Sequence, residues 1–325
     1  MTATQQATDT PREPAGPVLP PEGPKESRAD RRAYWTIRSA EWMGMHLPRP
    51  AGLAVAQAYQ MAALRKSDAQ RRTVAGNLAR VLGHPTGSPL VEAATRECFL
   101  LYGRYWYETF ALRSMPVDEV NRRFTVDGIE HIANGVAAGQ GFIAALPHMG
   151  NWDAAGHWLA VNGYRMTAVA EALKPKSVED LFYRHRRALG MGIVTYDPES
   201  GGGEVGLELS RRLAGNEVIT LVSDRDLGGR GVDVEMFGAP RKLPAGPALL
   251  ALSTGVPLSA ATVFTTQEGW HCRIDSPLET APSGNMRADV TRVTRELARS
   301  FERFISAAPA DWHMFQPAWE DGAGS

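Results

Sequence analysis

The segment Ala145-Leu146-Pro147-His148-Met149-Gly150-Asn151-Trp152-Asp153 sets a histidine and an aspartate five positions apart, directly after the apolar run 141–146. A histidine at the end of a buried strand, followed by a carboxylate, suits a general base and the group that orients it. The spacing restricts how the two can meet. Positions five apart on one helix lie roughly 140° around its axis. His148 and Asp153 therefore face each other only if the histidine lies in a strand-end turn and the aspartate in the first turn of the next helix. Gly150-Asn151 favours such a turn, with Asn151 and Trp152 shaping it.

A second charged strand end, Asp224-Arg225-Asp226, follows the apolar run 217–222. Desolvating charges there costs several kcal/mol each unless they are paired. The cluster is thus either an ion-pair network or part of a site. In a site, one acid holds the acceptor hydroxyl or the histidine, and Arg225 locks the loop or faces an oxyanion. Glu171 and Lys174, after the run 166–170, are candidates for positioning polar substrate groups, or form a surface pair. Arg184-His185-Arg186-Arg187 can meet a phosphate or form a solvated helix face. Gly201-Gly202-Gly203 lacks the spacing and lysine of a phosphate loop and is read as a linker. His157, His271 and His313 show no partner pattern. No Gly-x-Ser-x-Gly elbow is present, which disfavours a serine hydrolase. A metal-dependent hydrolase with His148, Asp153, Asp224 and Asp226 as ligands stays open as an alternative.

The elements that must position these groups follow from periodicity. Six prolines among acids, with no apolar core, mark residues 1–30 as a disordered tail and show no secretory signal. Residues 31–112 read as amphipathic helices, the last of them aromatic-rich from Phe99 to Phe110. That stripe reads as core packing or as the wall of an acyl pocket. From 124 to 320 short apolar runs (142–146, 166–170, 192–195, 217–222, 257–264) alternate with helical patterns (152–162, 177–189, 204–213, 247–254, 287–305). Alternation of this kind predicts a single α/β domain over 31–320, its mostly parallel central sheet flanked by helices. In such sheets ligands gather at the carboxyl ends of strands, where His148 and Asp224 both fall. The uncharged stretch 243–267 has the length of a membrane span. Pro244, Pro247, Gly255 and Pro257 break it into a buried helix and a strand.

Composition excludes several classes. A formal net charge of −1 argues against a nucleic-acid binder. Two distant cysteines make a disulfide scaffold or a cysteine zinc site a poor fit. The charge is uneven, however: between Lys25 and Arg80 eleven Lys/Arg oppose four acids, interleaved with Trp35, Trp42 and Tyr59. Such helices can lie on an anionic membrane surface, or cover the core with their charges solvated.

Several ordered blocks resemble the actinobacterial phosphatidylinositol mannoside acyltransferases, within the lysophospholipid acyltransferase superfamily. They are Tyr102-Gly103-Arg104-Tyr105-Trp106; 146–153; Val169-Ala170-Glu171 with Lys174-Pro175; Asp224-Arg225-Asp226-Leu227; 231–238; and Pro309-Ala310-Asp311-Trp312-His313-Met314 with Gln316-Pro317. The resemblance implies transfer of a long-chain acyl group, typically palmitoyl, from acyl-CoA to a mannose 6-hydroxyl of phosphatidylinositol mannoside. It implies no resident cofactor and no metal, acyl-CoA being a co-substrate. By it His148 is the base, Asp153 lies beside it and Asp224 completes the dyad, where that family carries Glu. Asn151, Glu171, Lys174, Arg186, Arg225 and Asp226 become expected substrate contacts. It also implies a peripheral protein on the inner leaflet of the plasma membrane, with no transmembrane helix.

Overall fold

The computed structural model describes residues 27–197 and 202–319; the expected tail, up to residue 26, lies outside them. Four helices come first: α1 (Arg28–His46), α2 (Arg49–Lys66), α3 (Asp68–Leu82) and α4 (Pro89–Ala111). Local signals set their ends. Ser27 and Asp30 form a capping box on α1, which satisfies orphan N–H groups reciprocally. Ser88 caps α4 with Pro89 in its first turn. Gly83 ends α3 in the left-handed conformation that glycine adopts without strain. The α1–α3 helices all pack on α4. A Cβ at Gly52 would sit 2.0 Å from the Tyr107 ring, so only glycine permits that approach.

The chain continues through α5 (Val117–Arg123), β1 (Phe124–Asp127), α6 (Ile129–Ala137), β2 (Phe142–Leu146), α7 (Trp152–Val161), β3 (Met166–Glu171), α8 (Lys176–Ala188) and β4 (Gly192–Tyr196). After α9 (Gly203–Ala214) and β5 (Val218–Val222) come β6 (Val232–Met236), β7 (Ala239–Leu243), α10 (Gly246–Thr254), β8 (Leu258–Thr265), β9 (Trp270–Ile274) and α11 (Met286–Ala307). Seven strands form one sheet in the order β1-β9-β8-β2-β5-β3-β4. Every neighbouring pair in it is parallel except β8 and β9. Short hydrophobic strands alternating with helices produce this α/β layering, as expected.

The sheet alternates its side chains between two cores. Ile143, Ala145, Ile219 and Leu221 belong to the cluster closed by α9, α10 and α11. Phe142, Ala144, Leu146 and Val218 belong to the opposite cluster, with Ala154 and Leu159 of α7. Strands β2 and β5 therefore run buried on both faces. The 243–267 stretch divides as its prolines and glycines require, with α10 ending at Gly255 in the left-handed conformation. Among the described residues no helix is long and apolar enough to cross a membrane.

One expectation is corrected, and one element is added. The segment 231–238, quoted as a matching block with no structural expectation attached, enters the antiparallel hairpin β6–β7, which lies outside the main sheet. Gly203 opens α9, and Gly202 precedes it at the helix cap, so the described part of the glycine run is not a linker.

Candidate active site

β2 and β5 are parallel neighbours, with Leu146 in register with Val222. Ser223 N–H extends this ladder by donating to Leu146 O at 2.8 Å. Their carboxyl ends therefore deliver His148 and Asp224 to one place. The turn after β2 needs a glycine at 150: its φ is +57°, and a Cβ would lie 2.0 Å from Val263 O. Asn151 then caps α7, its side chain accepting from Ala154 N–H at 2.9 Å.

Asp224, not Asp153, meets the histidine. His148 Nδ1 lies 2.5 Å from Asp224 Oδ1, and His148 N–H donates to Asp224 Oδ2 at 3.1 Å. Trp312 Nε1–H donates to the same Oδ2 at 2.8 Å. Arg241 binds the Asp224 carbonyl oxygen through Nη2 at 2.5 Å, its guanidinium lying over the Trp312 and Trp319 rings. Burial alone would raise the Asp224 pKa, but His148, Trp312 and Arg241 hold it down at about 2. The carboxylate is therefore ionised and accepts. In the neutral imidazole, Nδ1 therefore donates to Asp224 and Nε2 keeps its lone pair. An imidazole held in this tautomer by a buried carboxylate can take a proton from a hydroxyl.

Asp153 has other partners. Although it stands in the first turn of α7, as the spacing requires, its Oδ1 accepts from Arg186 Nε at 2.7 Å. Its Oδ2 accepts from Tyr105 OH at 3.0 Å. The expected His148–Asp153 contact does not form, because the α7 start turns this carboxylate toward α8 and α4. Burial would raise the Asp153 pKa, but the Arg186 guanidinium holds it below the ordinary carboxylate range. Arg186 thus leaves the solvated face expected of 184–187, while His185 is buried against Thr109 O.

A cleft of about 890 Å³ opens over this centre, within the range of small-molecule sites. Trp106, Val169, Phe182, Leu209, Leu221 and Leu250 wall it with apolar surface. Tyr102, Tyr105 and Trp106 of the α4 aromatic stripe reach it, whereas Phe99 and Phe110 are fully buried in the core. Glu171 and Arg225 face each other at its rim, 4.0 Å apart.

Three of the expected substrate contacts have other surroundings in the fold. Asn151 is 1% exposed and serves as a helix cap. Lys174 is exposed and lies outside the cleft lining. Asp226 borders the cleft, but both its oxygens are engaged by the N–H groups of Gly228 and Gly231 in its own loop. The four ligands of the hydrolase alternative are therefore not gathered: Asp153 faces Arg186 and Asp226 faces backbone. Among the described residues no group of three or more His, Cys, Asp or Glu is arranged to hold a metal ion.

Tyr105, Arg241, Trp312 and His313 belong to the site and were not among its expected residues. Tyr105, Trp312 and His313 stood within matching blocks, and His313 was otherwise set aside for want of a partner pattern. Arg241 sits on a hairpin with no catalytic signature.

Comparison with known proteins bears on this geometry. The model of the bacterial lipid A biosynthesis acyltransferase family matches residues 21–321. A phosphatidylinositol mannoside acyltransferase of Mycolicibacterium smegmatis is 41% identical over 244 residues, 75% of this chain and 77% of that protein. One from Mycobacterium tuberculosis, of the same name, is 41% identical over 249 residues, 75% of each chain.

Proposed function

Because the chain belongs to the bacterial lipid A biosynthesis acyltransferase family, and is thus an O-acyltransferase, we propose that it acylates phosphatidylinositol mannoside. The donor is a long-chain acyl-CoA, with palmitoyl as the group transferred, and the acceptor is a mannose 6-hydroxyl. The observation that carries the proposal is the His148–Asp224 pair, with His148 lining a large apolar-walled cleft. The names of the two relatives support the acceptor class.

The chemistry needs little. A thioester is already activated, so a covalent enzyme intermediate is unnecessary. His148 Nε2 takes the sugar hydroxyl proton as that oxygen attacks the carbonyl carbon. The imidazolium so formed is stabilised by Asp224, and it returns the proton to the departing thiolate. The apolar walls hold the acyl chain, and Arg186, Arg225 and Glu171 are the polar groups at hand for the glycolipid headgroup.

The location proposed is the inner face of the plasma membrane, peripherally bound. Trp35, Trp42 and Tyr59 stand exposed on α1 and α2, at 63%, 53% and 62%, on the basic part of the chain. Aromatic side chains of this kind suit the headgroup boundary.

Mass spectrometry of the product from palmitoyl-CoA and a mannosylated phosphatidylinositol tests the proposal, with plain lysophospholipid as control. Palmitate esterified to mannose is expected; acylation of the lysophospholipid alone would overturn the assignment of the acceptor.

A further inference from the structure

His313 holds hydrogen-bonding capacity that the fold leaves unused. The segment after α11 pairs antiparallel with the turn that follows β2. Met149 bridges Trp312, and His313 N–H donates to His148 O at 2.8 Å. Residues opposite each other in antiparallel pairing project on the same face, with Cβ atoms about 4.5–5.5 Å apart. The two side chains therefore lie on the same face, and both imidazoles approach the Trp152 ring, with centroids 5.5 and 6.3 Å from it.

Their bonding differs. His148 gives Nδ1 to Asp224, whereas neither Nδ1 nor Nε2 of His313 has a partner. His157 and His185, also buried, each engage a backbone carbonyl oxygen. His313 is 6% exposed, borders the cleft and packs against Tyr102 and Tyr105. Burial, reinforced by His148, pushes its pKa down to about 3, so the ring is neutral at every physiological pH. A neutral ring neither competes for the transferred proton nor repels His148 once that residue is charged.

We propose that His313 is a neutral hydrogen-bond donor to the thioester carbonyl oxygen as that oxygen gains negative charge. The role rests on the acyl-transfer proposal above. In the addition step the acceptor proton passes to His148 Nε2 and the hydroxyl oxygen forms the new C–O bond. The carbonyl π pair moves onto its oxygen, to which the His313 ring N–H donates without transferring its proton. In the second step the C=O bond re-forms, the C–S bond breaks, and the thiolate leaves with the proton held by His148.

The test uses the full-length protein with palmitoyl-CoA and a mannosylated phosphatidylinositol, comparing His313→Phe and His313→Gln with His148→Ala. Phenylalanine fills the ring volume among the same aromatics but removes both nitrogens. It is expected to lower kcat on the order of 10²–10³-fold, the loss typical of one oxyanion donor, with KM for both substrates unchanged. Glutamine restores a neutral donor and should show a higher kcat than the Phe variant. Wild-type kcat in His313→Phe, or a raised KM at unchanged kcat, overturns the proposal. So does equal loss in the Phe and Gln variants, because restoring a neutral donor would then restore nothing. Retention of wild-type rate by His148→Ala would instead sink the acyl-transfer mechanism itself, whatever His313 does.

Discussion

Trp312 donates its indole N–H to Asp224 Oδ2 at 2.8 Å, on the carboxylate that grips His148 through the other oxygen. Asp224 is completely buried, so each donor around it replaces a water it cannot have. A buried carboxylate with one oxygen on the base and the other on a rigid indole has little freedom to turn. The position of the His148 imidazole is thus decided by the segment after α11, more than 160 residues further along the chain.

Trp312→Phe removes that donor while keeping most of the ring. A hydrogen bond to a charged group contributes about 1.5–3 kcal/mol, so kcat should fall by roughly 10–100-fold if the loss appears in the transition state. Removing a donor that favours the ionised form raises the Asp224 pKa. The acidic limb of the pH–rate profile should move upward, which steady-state kinetics from pH 3 to pH 8 will read.

Asp224→Asn leaves the shape but offers His148 Nδ1 an amide that can turn either face. With the tautomer no longer imposed, kcat is expected to drop on the order of 10³–10⁴-fold, while circular dichroism shows an unchanged fold. A variant within tenfold of wild type would mean that the carboxylate does not set the tautomer.

Arg186 and Asp153 form a buried pair, and removing one member strands the other. Breaking such a pair costs about 3–5 kcal/mol, so Arg186→Met should lower the melting temperature clearly. Arg186→Met with Asp153→Asn should recover most of it. Denaturant unfolding of the two variants beside wild type separates this structural share from any direct role of Arg186 toward substrate.

Asp311 predicts an opposite pH dependence. Burial pushes its pKa up from 3.8 to about 6, although Thr265 N–H donates to Oδ2 at 2.9 Å. A folded-state value above the unfolded one means that its stabilisation is present below pH 3.8 and is lost as pH rises through about 6. Asp311→Asn keeps an acceptor for Thr265 and removes the buried charge. It should be more stable than wild type at pH 8, by up to about 3 kcal/mol, and gain little at pH 4.

Replacing Trp35, Trp42 and Tyr59 together by alanine should reduce sedimentation with anionic liposomes, leaving turnover of detergent-dispersed substrate near wild type. These side chains are largely exposed, so the fold should tolerate the change. Unaltered sedimentation would assign membrane contact elsewhere.

The strands and helices of the catalytic half were legible because their signals are local. Alternating apolar runs, Gly255 after α10 and the capping Asn151 each act within a few residues. The β6–β7 hairpin went unread although its first strand carries a local signal: Val232-Asp233-Val234-Glu235-Met236 alternates apolar and polar residues, the period of a half-buried strand. His148 could be found from its strand end, and Asp224 from the improbability of charges at the end of an apolar strand.

By itself the sequence determined that a histidine and two acids stand where strands of an α/β sheet end, since hydrophobic periodicity and turn residues are short-range properties. Which acid serves the histidine was decided only by the tertiary structure. Strand order sets β5 beside β2, and that adjacency brings Asp224 to His148, while the first turn of α7 sends Asp153 to Arg186. Proximity along the chain favoured Asp153; pairing across the sheet, which no local pattern encodes, favoured Asp224.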